Sequence, residues 1–264
     1  MTTTTKKKEK PAPTLAPATV SEGGGIRYLH LGTPWVQGAM RVRKPQAIEL
    51  EYVQRMMVWM LLRPQERLGE GHAVQLGLGA AAITKFCHKV LRMRTTAVEL
   101  NPSVIGVCRL WFHLPPDDER LAVLNEDAAR YAAAPEHIAS ADVLCVDLYD
   151  HEAASPVLDD EAFYRNCHRL LADEGAMTVN LFGRDASFER SAARIARVFG
   201  ADRVRVLKPT KEGNTIVLAW KDMAWPERET LAARAENIDT RFKLPARKWL
   251  RLIQALPQPL PTTT

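Results

Sequence analysis

Four acidic side chains stand where strand-like apolar runs give way to loops. Glu99 closes "RTTAVE", Asp127 follows "RLAVLNE", and Asp147 and Asp150 fall at the end of "ADVLCVDLYD". In an open parallel sheet, ligands bind outside the carboxyl ends of the strands, so carboxylates there face a crevice. Glu99 comes 20 residues after Gly79, about the spacing at which a carboxylate bridges ribose hydroxyls. Asp127 suits the exocyclic amine of adenine, or it caps the helix that follows. Asp147 leaves the mostly apolar "DVLCV", which places it at the floor of a pocket. Each acid also has a plainer reading, as a helix cap or a solvated loop residue.

The stretch "AVQLGLGAAAITKF" (73–86) supplies the other half of such a pocket. It reads as strand, glycine turn and helix start. Gly77 and Gly79 let the backbone approach a ligand closely, and the helix offers unpaired N–H groups. "GLGAAA" also fits the loose dinucleotide fingerprint. Against a nicotinamide enzyme stand the acids on the third and fourth strands, a terminal antiparallel hairpin and the lack of a sizeable substrate domain.

These residues need a scaffold, and the chain spells one out. "HAVQLGL", "RTTAVEL", "RLAVLNED", "ADVLCVDLYD" and "AMTVNLF" read as strands. Helical stretches alternate with them: "AAAITKFCHKVL", "NPSVIGVCRLWF" with Asn101 as N-cap and Pro102 at its first turn, "AARYAAA", and "DDEAFYRNCHRLLADEG" ending near Gly175. "DASFERSAARIARVFG" is the next helix. This order predicts an α/β, doubly wound parallel sheet. "DRVRVLKP" and "NTIVLAW" are joined by "TKEG", too short for a helical crossover, so they pair as an antiparallel hairpin. The expected sheet has seven strands. Upstream, 26–42 reads as a small β element and 47–64 as a helix stopped by Pro64. Residues 1–25, rich in Thr, Lys, Pro and Ala, predict a structureless tail. From Met223 onward the chain reads as helical, with Trp249, Leu252, Ile253 and Leu256 on one face. The expected units are thus 1–25, 26–64, a nucleoside-binding catalytic domain over 65–222, and a helical extension over 223–264.

Composition narrows the class. The chain has 264 residues, 46% hydrophobic and 25% charged, the make-up of a soluble globular protein. No apolar run approaches ~18 residues, so no transmembrane helix is expected. "MTTTTKKKEK" lacks the apolar segment of a secretory signal. Cys87, Cys108, Cys145 and Cys167 show no metal-ligand spacing and read as small buried residues of a reducing, cytoplasmic protein. No metal site is expected. The net charge of +5 sits partly in the terminal segments; without an aromatic RNA motif or zinc-finger spacing, it reads as solvated surface rather than a nucleic-acid site.

Five parallel strands followed by an antiparallel hairpin resemble the class I, Rossmann-like fold of S-adenosylmethionine-dependent methyltransferases. Within it, 28–220 resembles the spermidine synthase (polyamine aminopropyltransferase) family. "VDLYD" is similar to that family's V-D-[ST]-x-D-P segment, and "FYRNCHRLLADEG" to the stretch that follows it. "AVELNPSVIGVCRLWF" resembles its ribose-binding strand and helix, "NEDAARY" its adenine-binding turn, and Gly32 with Gln37 its N-terminal D-G-x-x-Q element. The resemblance implies that Gln37, Gly77, Gly79, Glu99, Asp127 and Ala128 hold a decarboxylated S-adenosylmethionine or S-adenosylmethionine-type donor, with no tightly bound cofactor. It implies Asp147 as proton acceptor, and Asp150, Tyr149 and Tyr52 along the channel for putrescine or another amine. It also suggests a homodimer. The chain departs from the pattern at Ala80, where the family carries an aspartate, at Val53-Gln54 and at His151. Two alternatives stay open: a methyltransferase, which Ala80 suits, and a non-catalytic relative acting through a partner.

Overall fold

The computed structural model of the chain describes residues 15–148, 156–182 and 186–256. A small antiparallel sheet comes first: β1 (Ala18–Gly23), β2 (Ile26–Leu31) and β3 (Gly38–Arg41), in that order. β1 lies inside the stretch the sequence predicts as structureless. Gly24 and Gly25, both at positive φ, make the two-residue turn that folds it onto β2. The Ala18 amide then donates to Ser103 Oγ at 3.0 Å. Pairing with a neighbour orders a segment whose composition alone could not order it.

The main sheet contains β4 (His72–Leu76), β5 (Arg94–Glu99), β6 (Leu121–Asn125), β7 (Ala141–Val146), β8 (Leu171–Phe182), β9 (Val204–Leu207), β10 (Asn214–Trp220) and β11 (Ile253–Ala255). Their spatial order is β11-β9-β10-β8-β7-β4-β5-β6. β4 to β8 run parallel, and β10 returns antiparallel between β8 and β9, as the short "TKEG" connection requires. The eighth strand, β11, is additional to the seven expected. The last helix stops at Leu252, and Ile253 pairs with Leu207 across the open edge of β9. Edge N–H and C=O groups need partners, and here they outweigh helical periodicity at Ile253.

Helices cover both faces. They are α1 (Glu51–Met56), α2 (Ala82–Lys85), α3 (Pro102–Trp111), α4 (Ala128–Ala133), α5 (Glu161–Leu170), α6 (Ala186–Phe199), α7 (Arg228–Phe242) and α8 (Ala246–Leu252). α1 tightens into a 3-10 turn over Met57–Leu61, and α2 widens into a π turn over Phe86–Leu91. Asn101 caps α3 through the Ser103 amide, with Pro102 behind it. α5 is shorter than its pattern predicts: Leu171 turns extended and pairs with Ala141. Successive strand residues serve opposite cores. Val143 and Cys145 pack with α1, α7 and α8, while Leu144 and Val146 pack with α4, α5 and α6. Burial on both faces explains why β7 is apolar apart from Asp142 near its start. Among the described residues, no helix is long and apolar enough to cross a membrane.

Candidate active site

The strand ends converge on the turn after β4. Gly77 has φ +86°, and a Cβ there would lie 2.0 Å from the Asp147 carbonyl oxygen. Gly79 also has positive φ, as does Ala81, which opens α2. Ala80 is buried, and a Cβ on Gly38 would come within 2.6 Å of its own. The absence of side chain at Gly38 therefore seats β3 directly on the turn.

Gln75 holds this turn from within. Its amide nitrogen donates to the carbonyls of Gly77 at 2.6 Å and Leu78 at 3.2 Å, and its oxygen accepts from Thr84 Oγ1 at 2.6 Å. A buried amide must be satisfied, and here it joins strand, turn and α2. A lone polar residue inside the otherwise apolar "AVQLGL" was the sequence signal for it.

Glu99 sits at the end of β5. Its Oε2 accepts from the Leu78 amide at 2.9 Å and its Oε1 from the Asn101 amide at 2.8 Å. Burial pushes this carboxyl above the usual range, while those amides pull the other way. Asp127 is exposed and accepts from the Arg130 amide at 2.9 Å, capping α4, with Ala128 buried behind it. The capping reading of Asp127 is therefore realised.

Asp147 stands just beyond β7. Its Oδ1 accepts from Asn180 Nδ2 at 2.9 Å and its Oδ2 from the Tyr52 hydroxyl at 3.2 Å. Burial raises its carboxyl pKa, and the Asn180 and Tyr52 bonds oppose that rise. Asn180 Oδ1 in turn accepts from Asn214 Nδ2 at 3.1 Å. Neither asparagine stands out in sequence, because each reads as one polar residue in a strand.

A narrow cleft is lined by Gln37, Gly38, Tyr52, Gly79, Ala80 and Asp147, among others. The structure thus brings together four of the residues the sequence singles out: Gln37, Tyr52, Gly79 and Asp147. Gly77 and Glu99 adjoin them through the turn, whereas Asp127 and Ala128 do not line this cleft. Tyr149, Asp150 and His151 lie outside the described residues. His88 and His168 are packing residues: His88 is fully buried, 3.1 Å from Asp118, and His168 meets the Phe199 ring edge-on. The four cysteines are buried and free. A half-buried carboxylate held by two neutral donors can bind a cation and accept its proton.

No family model matches the chain. A polyamine aminopropyltransferase of Neisseria meningitidis serogroup A is 32% identical over 241 residues, covering 89% of this chain and 88% of the relative. A crystal structure described as a probable spermidine synthase from Corynebacterium glutamicum covers 97% of this chain and 99% of its own, with TM-score 0.72 and 19% identity. Human methyltransferase-like protein 13, in complex with SAH, matches 81% of this chain and 97% of its own, with TM-score 0.64 and 23% identity. These two likenesses establish the Rossmann-like methyltransferase fold.

Proposed function

The chain belongs to the polyamine aminopropyltransferase family, and on that premise we propose how its cleft transfers an aminopropyl group from decarboxylated S-adenosylmethionine to an amine such as putrescine. Gln37, Gly77, Gly79, Glu99, Asp127 and Ala128 hold the nucleoside of the donor. Glu99 has the position and the carboxylate to take ribose hydroxyls, and the glycine turn gives the ligand access to backbone. Tyr52 lines the path of the acceptor, and the family pattern assigns Tyr149 and Asp150 to binding that same amine. The 65–222 segment is the catalytic domain, preceded by the small N-terminal sheet and followed by the 223–264 extension.

One observation carries the mechanism: Asp147 lies in the cleft wall with both carboxylate oxygens held, by Asn180 and Tyr52. An alkylamine arrives as an ammonium. It must lose a proton before its nitrogen has a free electron pair. Asp147 takes that proton as the nitrogen attacks the methylene carbon next to the donor's sulfonium. The new N–C bond forms, the C–S bond breaks, and its electrons neutralise the sulfur. The products are the extended polyamine and a neutral thioether nucleoside. Holding the two substrates in line supplies much of the remaining rate. The family pattern further implies a homodimer, and the buried thiols suit the reducing cytoplasm.

A second reading, methyl transfer from S-adenosylmethionine, is favoured by one feature: Ala80 offers no carboxylate to a donor's terminal amine. The test is incubation with the decarboxylated donor and putrescine, following methylthioadenosine and spermidine. Both should form, and Asp147→Asn should suppress both. No product above that of the Asp147→Asn protein sinks the reading. Calorimetry with both donors separates the two transfers, since tighter binding of the intact methionine form favours methyl transfer.

A further inference from the structure

We propose that Asn180, fixed by Asn214 and Thr210, is a positioning residue that presents its NH2 group to Asp147 and so sets where the carboxylate accepts its proton. The proposal rests on the aminopropyl-transfer reading above. Asn180 lies on β8 opposite Ile216 of β10, which makes Asn214 its diagonal neighbour on the same face of the sheet. Asn214 Nδ2 donates to Asn180 Oδ1 at 3.1 Å. That bond occupies the carbonyl end of the Asn180 amide and leaves its nitrogen to face Asp147 Oδ1 at 2.9 Å. Asn214 is oriented in turn by Thr210. Its backbone amide donates to Thr210 Oγ1 at 3.2 Å, that hydroxyl reaches Asn214 Oδ1 at 3.5 Å, and the Thr210 amide donates to the Asn214 carbonyl at 2.8 Å.

All three residues are more than nine-tenths buried. Stability does not require them to be polar: two apolar side chains of similar shape fill such a pair of sites at little cost. The relay instead ends on the one carboxylate of the described cleft lining. A reversed Asn180 amide would set its carbonyl oxygen against the Asp147 carboxylate, and the relay forbids that orientation. An N–H donor to a carboxylate favours its charged form. Loss of the donor therefore makes Asp147 harder to ionise, and a protonated Asp147 cannot accept from the substrate.

The groups facing Asp147 limit what else could set its titration. Tyr52 donates to Oδ2 from α1, while among the described residues Glu99 on β5 and Cys145 on β7 are acidic groups that feel its charge. Asn180 is the β8 contribution.

The test is the pH profile of kcat with the decarboxylated donor and putrescine. It compares the unsubstituted protein with Asn180→Leu and Asn180→Asp, alongside donor affinity by calorimetry. Asn180→Leu should lower kcat at neutral pH by about tenfold to a hundredfold. Its acid limb should move to higher pH by about one unit or more. Asn180→Asp should move the limb further, because two carboxylates then compete for one proton. Asn214→Leu should move it the same way by less. Donor affinity should hold, since the relay does not touch the glycine turn. Variants that bind donor yet keep the original acid limb overturn the proposal. If the unsubstituted protein turns over no amine, the functional reading fails instead. The relay is then decided by carbon NMR titration of the Asp147 carboxyl: a higher pKa in Asn180→Leu supports it, and an unchanged one refutes it.

Discussion

The Gly77 backbone passes so close to the Asp147 carbonyl oxygen that a Cβ on the glycine would lie 2.0 Å from it. The Asp147 amide also donates to the Leu76 carbonyl at 2.9 Å. The glycine turn and the acid are thus one piece of backbone geometry. A side chain at Gly77 would meet both a positive φ and a main-chain clash that no rotamer relieves. Gly77→Ala should cost about 2–4 kcal/mol of stability and displace Asp147. Urea denaturation should show a lower midpoint, and the remaining folded protein should lose turnover. A variant with an unchanged midpoint and unchanged kcat would contradict this coupling.

How much of this was legible in advance depends on what each residue answers to. The parallel strands announced themselves because β7 is buried on both faces, so beyond Asp142 its sequence is a run of apolar residues. Glu99, Asp147 and the glycines were readable because strand ends in this architecture face the ligand. β1 was not, since its order comes from pairing with β2 through Gly24-Gly25 rather than from its own composition. Ile253 was misplaced on a helix because only the finished sheet has the open edge that captures it. Gln75, Asn180 and Asn214 each look like one polar residue in a strand, and the side-chain partners that tie them to another element are 9, 33 or 34 residues away. The neighbour of Asp147 that holds Oδ1 therefore emerged only with the fold.

Lys85 gives a second measurable consequence. It is buried at the end of α2, with Nζ donating to the Phe112 carbonyl at 2.6 Å, and burial lowers its pKa from 10.5 to about 8. Between those values the unfolded chain holds a proton on Lys85 that the folded chain has lost. Stability attributable to this residue therefore rises with pH from about 8 to 10.5, and below that window its burial is a net cost. Lys85→Met should remove this slope. It should also be more stable than the unsubstituted protein at pH 7, by up to about 3 kcal/mol less the lost bond to Phe112. Denaturation curves of both proteins at pH 7, 9 and about 10.5 give the difference directly, and a difference independent of pH would refute a depressed Lys85.

Ala80 predicts how the cleft chooses its donor. It is buried on the turn, packed against Gly38, and supplies no charge for a donor's terminal amine. Ala80→Asp should favour decarboxylated S-adenosylmethionine over the intact form by about tenfold or more in Kd, because a carboxylate there attracts the amine and repels the carboxylate. The same change should lower stability in the absence of donor, since it buries an unpaired charge. Paired calorimetric titrations read the ratio. An unchanged ratio in a folded Ala80→Asp protein would place the donor's arm away from this turn.

Glu99→Gln separates donor binding from chemistry. The Glu99 carboxylate accepts from two backbone amides, Leu78 at 2.9 Å and Asn101 at 2.8 Å. A glutamine offers one acceptor oxygen and must turn its NH2 toward the other amide, setting donor against donor. The loss of one charge-assisted bond and the conflict it creates amount to about 1–3 kcal/mol. The glycine turn loosens, and the proposed ribose hydroxyl partner is weakened at the same time. The donor KM should therefore rise by about tenfold to a hundredfold, while the putrescine KM and the kcat at saturating donor change little. Steady-state kinetics with each substrate varied in turn decide it. A fall in kcat with both KM values unchanged would assign Glu99 to the transition state rather than to the nucleoside.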